Sequence, residues 1–260
     1  MKKILSVLSL FLIILFYGCF EIVQESEIHE DGSGVFSNTT DFSSMLGILS
    51  IMGGEETKKM DKVAKDTTIS LSNFKDSIAD LNDKEKLLLD NATLNIVLNI
   101  HDEKFFLTFN FPYSQSSDIN LIKNILKKTK QKAIAQQLES LIPGDDAAGN
   151  PMAMGKENEN YIPEIDEYFD IITENGKLGK KLNKERYIDA ENDKSLISLR
   201  EMSQMGTPMT MKVVFNLPKP ATKAEGKGVK LSSDKKKVII EATIDDFFDD
   251  PSKFEYQIEY

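Results

Sequence analysis

The chain has no tryptophan, two histidines and a single cysteine. One cysteine cannot form an internal disulfide, so the folded part must stand on its hydrophobic core alone. The absence of tryptophan weighs against an aromatic-walled sugar site. With His29 and His101 as the only histidines, and no nucleophile elbow, zinc helix or phosphate loop, the familiar catalytic constellations are missing. Basic charge is scarce too. Lysine and arginine number 32 against 42 acidic residues, a formal net charge of −10. General nucleic-acid binding needs a basic footprint and is excluded on that ground. Long apolar runs are also lacking. The greasiest stretch, Ile4 to Phe16, is 13 residues, against roughly 20 for a helix that spans a bilayer.

What that stretch does have is the anatomy of a secretory signal. Lys2 and Lys3 precede it, Gly18-Cys19 follow it, and the chain then turns polar at Glu21, Gln24, Glu25 and Glu27. A short apolar run closed by a small residue and a cysteine is how a lipoprotein signal ends. One feature departs from the pattern: Phe16 stands three residues before the cysteine, where leucine is usual. The expectation is that residues 1–18 are removed and that Cys19 is acylated as the first residue of an extracytoplasmic domain, 19–260. Each buried methylene contributes about 0.8 kcal/mol, and two or more acyl chains anchor stably. This places the protein in a bacterial cell envelope, lipid-anchored on the periplasmic or outer face. Without Lys2 and Lys3 the charge falls to about −12, which disfavours lying flat on an anionic surface.

Hydrophobic residues make up 40% and charged residues 28%, proportions of a globular rather than a disordered chain. Residues 21–42 read as a hairpin turned by Asp31-Gly32-Ser33-Gly34. Asp41 can N-cap a helix through Met52, a second helix fits Glu56 to Ala64, and Thr67 to Leu71 suits a short strand. Helical spacing returns over Asn73 to Leu89. Leu94, Ile96, Leu98 and Ile100 then alternate with polar residues, as do Phe105, Leu107, Phe109 and Phe111, giving a second hairpin. Asp118 to Ile142 is the longest helical stretch, with its lysines opposite an isoleucine and leucine stripe. About 143–160 the pattern is aperiodic and predicts a mobile loop. Asn175-Gly176 turns a third hairpin, and Asp193 to Met205 fits a helix using Leu196, Leu199 and Met202. Strands are expected from Met209 to Leu217, from Val238 to Ile244 and from Phe254 to Tyr260. Helices and strands mix without βαβ alternation. The fold class is therefore α+β, mainly antiparallel sheets built from hairpins with packed amphipathic helices.

The order of these pieces resembles a group of uncharacterised lipoproteins of Bacteroidetes-type bacteria. The resemblance is carried by Cys19 before a Glu-rich strand, the Asp31-Gly32-Ser33-Gly34 turn, and Asp41 with Ser43 and Met45. Asn175-Gly176, Tyr187, Asp193 and the run Ser233-Asp234-Lys235-Lys236-Lys237-Val238 complete it. More remotely the layout is similar to LppM-like lipoproteins, which implies an extracytoplasmic module able to handle amphiphiles. No catalytic residue comes with either likeness.

Four further features invite a function and are better read as structure. His29 and His101 fall at turns and read as solvated. Met152, Met154, Met202, Met205, Met209 and Met211 offer soft sulfur ligands, but Met209 and Met211 share phase with Val213 and Phe215. Asp245, Asp246, Asp249 and Asp250 lack the spacing of a calcium loop and read as a solvated turn. The seven lysines from Lys219 to Lys237 could touch head groups or acidic polymers, yet Gly226 and Gly228 suggest a flexible hairpin tip. An aromatic C-terminal strand echoes outer-membrane barrels, which charged helices argue against. The expectation is therefore a non-enzymatic binding or envelope-interaction module without cofactor, its partners the membrane through Cys19 and an envelope protein or amphiphile. A hydrolase using paired carboxylates, or a purely structural envelope protein, are the alternatives. A concave pocket with converging carboxylates would favour the first and the absence of a pocket the second.

Overall fold

The computed structural model describes residues 20–44, 46, 64–78, 80–141, 165–204 and 208–260, with backbone alone at 77 and 131–141. Two sheets organise them. The larger has eight strands in the order β10-β11-β8-β1-β2-β5-β4-β3. These are β1 (Phe20–Ile28), β2 (Gly34–Asp41), β3 (Ala64–Ser70), β4 (Thr93–Asn99), β5 (Lys104–Tyr113), β8 (Met209–Asn216), β10 (Val229–Leu231) and β11 (Lys237–Thr243). The smaller has the order β6-β7-β12-β9, from β6 (Phe169–Glu174), β7 (Lys177–Leu182), β9 (Lys223–Glu225) and β12 (Tyr256–Glu259). The class is α+β with antiparallel pairing dominant. Among the described residues the one parallel contact joins β1 to β8, from Phe20↔Met209 to Glu27↔Asn216.

Period two decides which face is buried. Leu94, Ile96 and Leu98 lie opposite Phe109, Leu107 and Phe105 across β4 and β5, and all six are buried. Their polar neighbours point the other way and pair among themselves: Thr39 with Thr108 at 3.0 Å, and the Ser37 hydroxyl donating to Asn110 at 2.8 Å. A one-residue slip would exchange the two sets, so burial fixes the register.

Helices and the small sheet cover the inner face of the large one. Over β2, β5 and β4 lie α1 (Asp83–Asp90) and α2 (Asp118–Leu141), which bury Leu88, Leu89, Ile119, Ile122, Ile125 and Leu126. Over β1, β8 and β11 lie the small sheet, α3 (Lys184–Tyr187), α4 (Lys194–Gln204) and α5 (Ile244–Asp249). Phe247 of α5 sits at the centre of an aromatic group, 5.3 to 6.3 Å from the rings of Tyr168, Phe169, Tyr187, Phe248 and Phe254.

Several sequence expectations change. The single helix over Asn73 to Leu89 is two pieces, a 3₁₀ turn at Leu71–Ser77 and then α1. Asn82 and Glu85 exchange hydrogen bonds in a capping box that starts α1 afresh, and Asp80 before it takes φ of 58°. Phe74, Leu81 and Leu88 still reach the core. The aspartate run is a short helix rather than a solvated turn, because Thr243 and Asp246 form another capping box and Ile244 and Phe247 are buried. Met202 leaves the expected stripe of α4 and is 43% exposed. Ala64 opens β3 rather than ending a helix. Residues 1–19, 47–63 and 143–160, on which the signal, the helix through Met52 and the mobile loop were placed, lie outside the described residues.

The lysine-rich segment is no free hairpin tip. β9 pairs with β12 in the small sheet while β10 pairs with β11 in the large one, so the chain crosses between layers at Gly226. Gly226 has φ of 149°, and a Cβ there would lie 2.3 Å from the carbonyl oxygen of Glu255. Replacement of Gly226 by Ala is expected to destabilise the protein by about 2–3 kcal/mol through backbone strain. A lowered denaturant midpoint with unchanged slope checks this; an unchanged midpoint refutes it.

Candidate functional site

Strand order places Phe20 and the His101 turn at one end of the large sheet and the His29 turn at the other. The Phe20 end is tightly knit. Its N–H donates to the carbonyl of Pro208 at 3.1 Å. Its ring meets Phe42 edge-on at 5.3 Å, and Phe42 in turn lies 5.3 Å from Phe105. Asp41 accepts from the N–H of Ser43 at 2.8 Å, and Ser43 Oγ accepts from the N–H of Phe105 at 3.0 Å. Cys19, the predicted lipidation residue, lies just outside the described residues. It is bonded to a residue already fixed in the middle of the sheet.

The expected chemistry does not converge elsewhere. His29 does contact a serine, Ser33 Oγ, at 3.1 Å, and lies 3.5 Å from Glu27. The Ser33 hydroxyl, however, donates to Asp31 at 2.7 Å. The His29 ring nitrogen must then be the donor, and a nitrogen that already holds its proton cannot take the serine's. The group locks a turn. The aspartates of α5 and its C-cap radiate: Asp245 accepts from Ser203, Asp246 from Lys253, Asp249 from Arg200 and Asp250 from Lys227 and Ser252. Each already has its own protein donor. Met209 is buried in the core, as its phase suggests, while Met152, Met154 and Met205 lie outside the described residues.

A polar group that sequence reasoning missed sits under the inner face of the sheet. Asp166, in the 3₁₀ turn Ile165–Tyr168, accepts from Lys123 of α2 at 2.6 Å and from Lys180 of β7. All three side chains are largely buried, at 14%, 12% and 3% exposure for Lys123, Asp166 and Lys180. Burial alone would raise the Asp166 pKa, but the two ammonium groups hold it well below the usual carboxylate range. Burial pushes the Lys180 ammonium down; Asp166 opposes this, and Lys123, a second cation, adds to it. The Lys180 ammonium also lies 4.5 Å from the ring centre of Phe169 and 5.4 Å from that of Phe254, a favourable contact for a desolvated cation. Burial, then the charge of Asp166, pushes the nearby Tyr256 phenol up.

Gln24 of β1 joins this group across a cavity with an apolar wall of Ile22, Met211, Ile240 and Phe254. The cavity volume is about 10 Å³, room for about one water. Gln24 faces Asn38 across β1 and β2, with Thr40 one pair further along opposite Ile22. Asn38 and Thr40 are 3% and 0% exposed. Polar side chains thus form a seam beneath the sheet between the apolar clusters under α2 and under the small sheet. One carboxylate shared by two lysines ties α2 and β7 to the 3₁₀ turn and leaves one net positive charge. It is not an acid and base pair.

Among the described residues no helix is long and apolar enough to cross a membrane, and no group of three or more metal-ligating side chains converges. No protein-family model, curated protein or solved structure matches this chain.

Proposed function

We propose that the protein is a lipid-anchored extracytoplasmic module of the bacterial envelope, held close to its membrane and working through surface contacts with envelope partners. The observation that carries this reading is the fixed position of Phe20. A lipid on Cys19 would begin one peptide step, about 3.8 Å, from a residue hydrogen-bonded and ring-packed inside the sheet. With so short a connection the strands cannot drift from the bilayer on a flexible tether. They carry the opposite end outward.

The cavity at Asp166 does not itself provide a site for an amphiphile or for hydrolysis. Its volume of about 10 Å³ is far below the roughly 300–1,000 Å³ of small-molecule pockets, too small for an acyl chain. Its single carboxylate, tied to Lys123 and Lys180, also lacks the partner a carboxylate hydrolase requires. Mass spectrometry of the mature N-terminus from the native host tests the anchor. The expected peptide starts at acylated Cys19; an intact Met1 or an unmodified Cys19 overturns the reading.

A further inference from the structure

Two dipeptides of this chain are built to close on themselves. Asp31-Gly32 is its one Asp-Gly step and Asn175-Gly176 its one Asn-Gly step. In each, the glycine nitrogen has no neighbouring side chain to shield it. That nitrogen can attack the side-chain carbonyl carbon of the residue before it and form a five-membered imide. The fold brings the two turns together. A Cβ added to Gly32 would lie 3.4 Å from the Asn175 amide nitrogen and 3.5 Å from its Cγ. The Asn175 side chain therefore lies over the Gly32 backbone, yet the two steps are treated in opposite ways.

The first step is blocked at both of its reacting groups. The Gly32 N–H donates to the carbonyl of His29 at 3.0 Å. The Asp31 carboxylate accepts from the Ser33 hydroxyl at 2.7 Å and from the Ser33 N–H at 3.0 Å. These bonds hold its pKa below the usual carboxylate range. An ionised carboxylate has no good leaving group. The second step is open. Asn175 is exposed, and among the described residues neither its amide nor the Gly176 N–H has a hydrogen-bond partner. Gly176 takes φ of 82°, and a Cβ there would meet nothing closer than the Tyr260 carbonyl at 3.5 Å. The strands around the turn stay paired, Glu174 with Lys177, and the Gly176 carbonyl accepts from the Tyr260 N–H at 3.1 Å.

We infer that Asn175 is a site of spontaneous covalent modification, converted in the folded protein to aspartate and isoaspartate through a succinimide with Gly176. Solvent takes the Gly176 amide proton and the nitrogen attacks Cγ of Asn175. A C–N bond forms, the Cγ–Nδ2 bond breaks, and ammonia leaves carrying the displaced proton. Water then adds to one of the two imide carbonyls. One opening gives aspartate and the other isoaspartate, with no change of oxidation state. Either product places a new negative charge over Gly32, beside Glu174 and the ionised Asp31. Isoaspartate also lengthens the main chain by one methylene between the paired residues Glu174 and Lys177. The hydrogen bond from Tyr260 to the Gly176 carbonyl depends on that spacing. The modification thus loosens the junction of the two turns as the protein ages, and it does so whether or not Cys19 carries lipid.

The test is timed incubation of the folded full chain in detergent micelles, at neutral and at mildly alkaline pH, followed by peptide mapping with mass spectrometry. The peptide holding Asn175 should gain about one dalton and separate into two isomers. Its rate should fall within about tenfold of that of a free peptide spanning Thr173 to Leu178, and should rise in alkali. Isoaspartate at Asp31 should form at least tenfold more slowly than at Asn175. Conversion at Asn175 more than about tenfold slower than in the free peptide, or equal isoaspartate in the two turns, overturns the inference. In the separated isoaspartate form the Tyr260 amide should exchange with solvent at least tenfold faster than in fresh protein. Unchanged exchange there would overturn the loosening of the turns.

Discussion

Asp166→Asn is expected to lower the melting temperature by about 10 °C. The substitution keeps the volume and removes the charge that Lys123 and Lys180 share. Two ammonium groups would remain beneath the sheet, one of them only 3% exposed, with no carboxylate between them. Breaking a buried ion pair from one side costs about 3–5 kcal/mol, and for a domain of this size each kcal/mol moves the melting temperature by about 2–4 °C. Lys180→Met in the same background should recover much of the loss, since a thioether of similar length packs well against Phe169 and Phe254. Lys180→Met alone should cost less than Asp166→Asn, because Asp166 keeps Lys123.

The dependence on pH has a definite sign. The Asp166 pKa is depressed in the folded state, so its contribution is complete above the ordinary carboxylate range, near pH 4, and is lost only as pH falls below it. Lys180 is also depressed, so the unfolded chain binds its proton more tightly and stability rises with pH as Lys180 loses its charge. In Asp166→Asn the acid limb should flatten, and the protein should be more stable at pH 9 than at pH 7. A variant that melts within about 2 °C of the natural protein at neutral pH would show that the cluster does not hold the layers together.

Cys19→Ser, paired with an ordinary cleavable secretory leader, is expected to move the protein from the membrane pellet to the soluble extracytoplasmic fraction. In the lipid-anchored reading proposed above the change is all-or-none: at about 0.8 kcal/mol per methylene, removing two or more acyl chains would remove tens of kcal/mol. No helix among the described residues is long and apolar enough to replace it. Folding should be unaffected, since the contacts of Phe20 are made by its own N–H and ring. Retention of the folded serine variant on salt-washed membranes would refute the anchor.

Much of the fold could be read from the sequence wherever one face of an element is buried. The alternation of Leu94 to Leu98 against Phe105 to Phe111 placed β4 and β5 in their correct phase, and Asn175-Gly176 marked the β6–β7 turn. Partners were less legible. Nothing in residues 20–28 announces that they pair in parallel with 209–216, because side-chain periodicity records a face and not a neighbour. The lysine segment misled for a related reason. Gly226 and Gly228 signal freedom in a sequence, yet here the missing side chain allows close approach to Glu255 and Lys253.

The Asp166 group was hidden by its distribution over three elements. One faint signal existed: Lys180 is in phase with Leu178, so a lysine stood on the inner face of a strand. Gln24 and Asn38, in phase with Ile22 and Phe36, gave the same warning on β1 and β2.

The parallel contact between β1 and β8 has a consequence for biogenesis. During synthesis β1 finds one flank at once in β2, a local hairpin, but the other is supplied only by residues 209–216. Until residues 209–216 arrive, the centre of the sheet is a bare strand edge. Pairing so distant in sequence is slow, and an unpaired edge invites association with other chains. The incomplete chain is thus the species most open to association, whatever the stability of the finished fold.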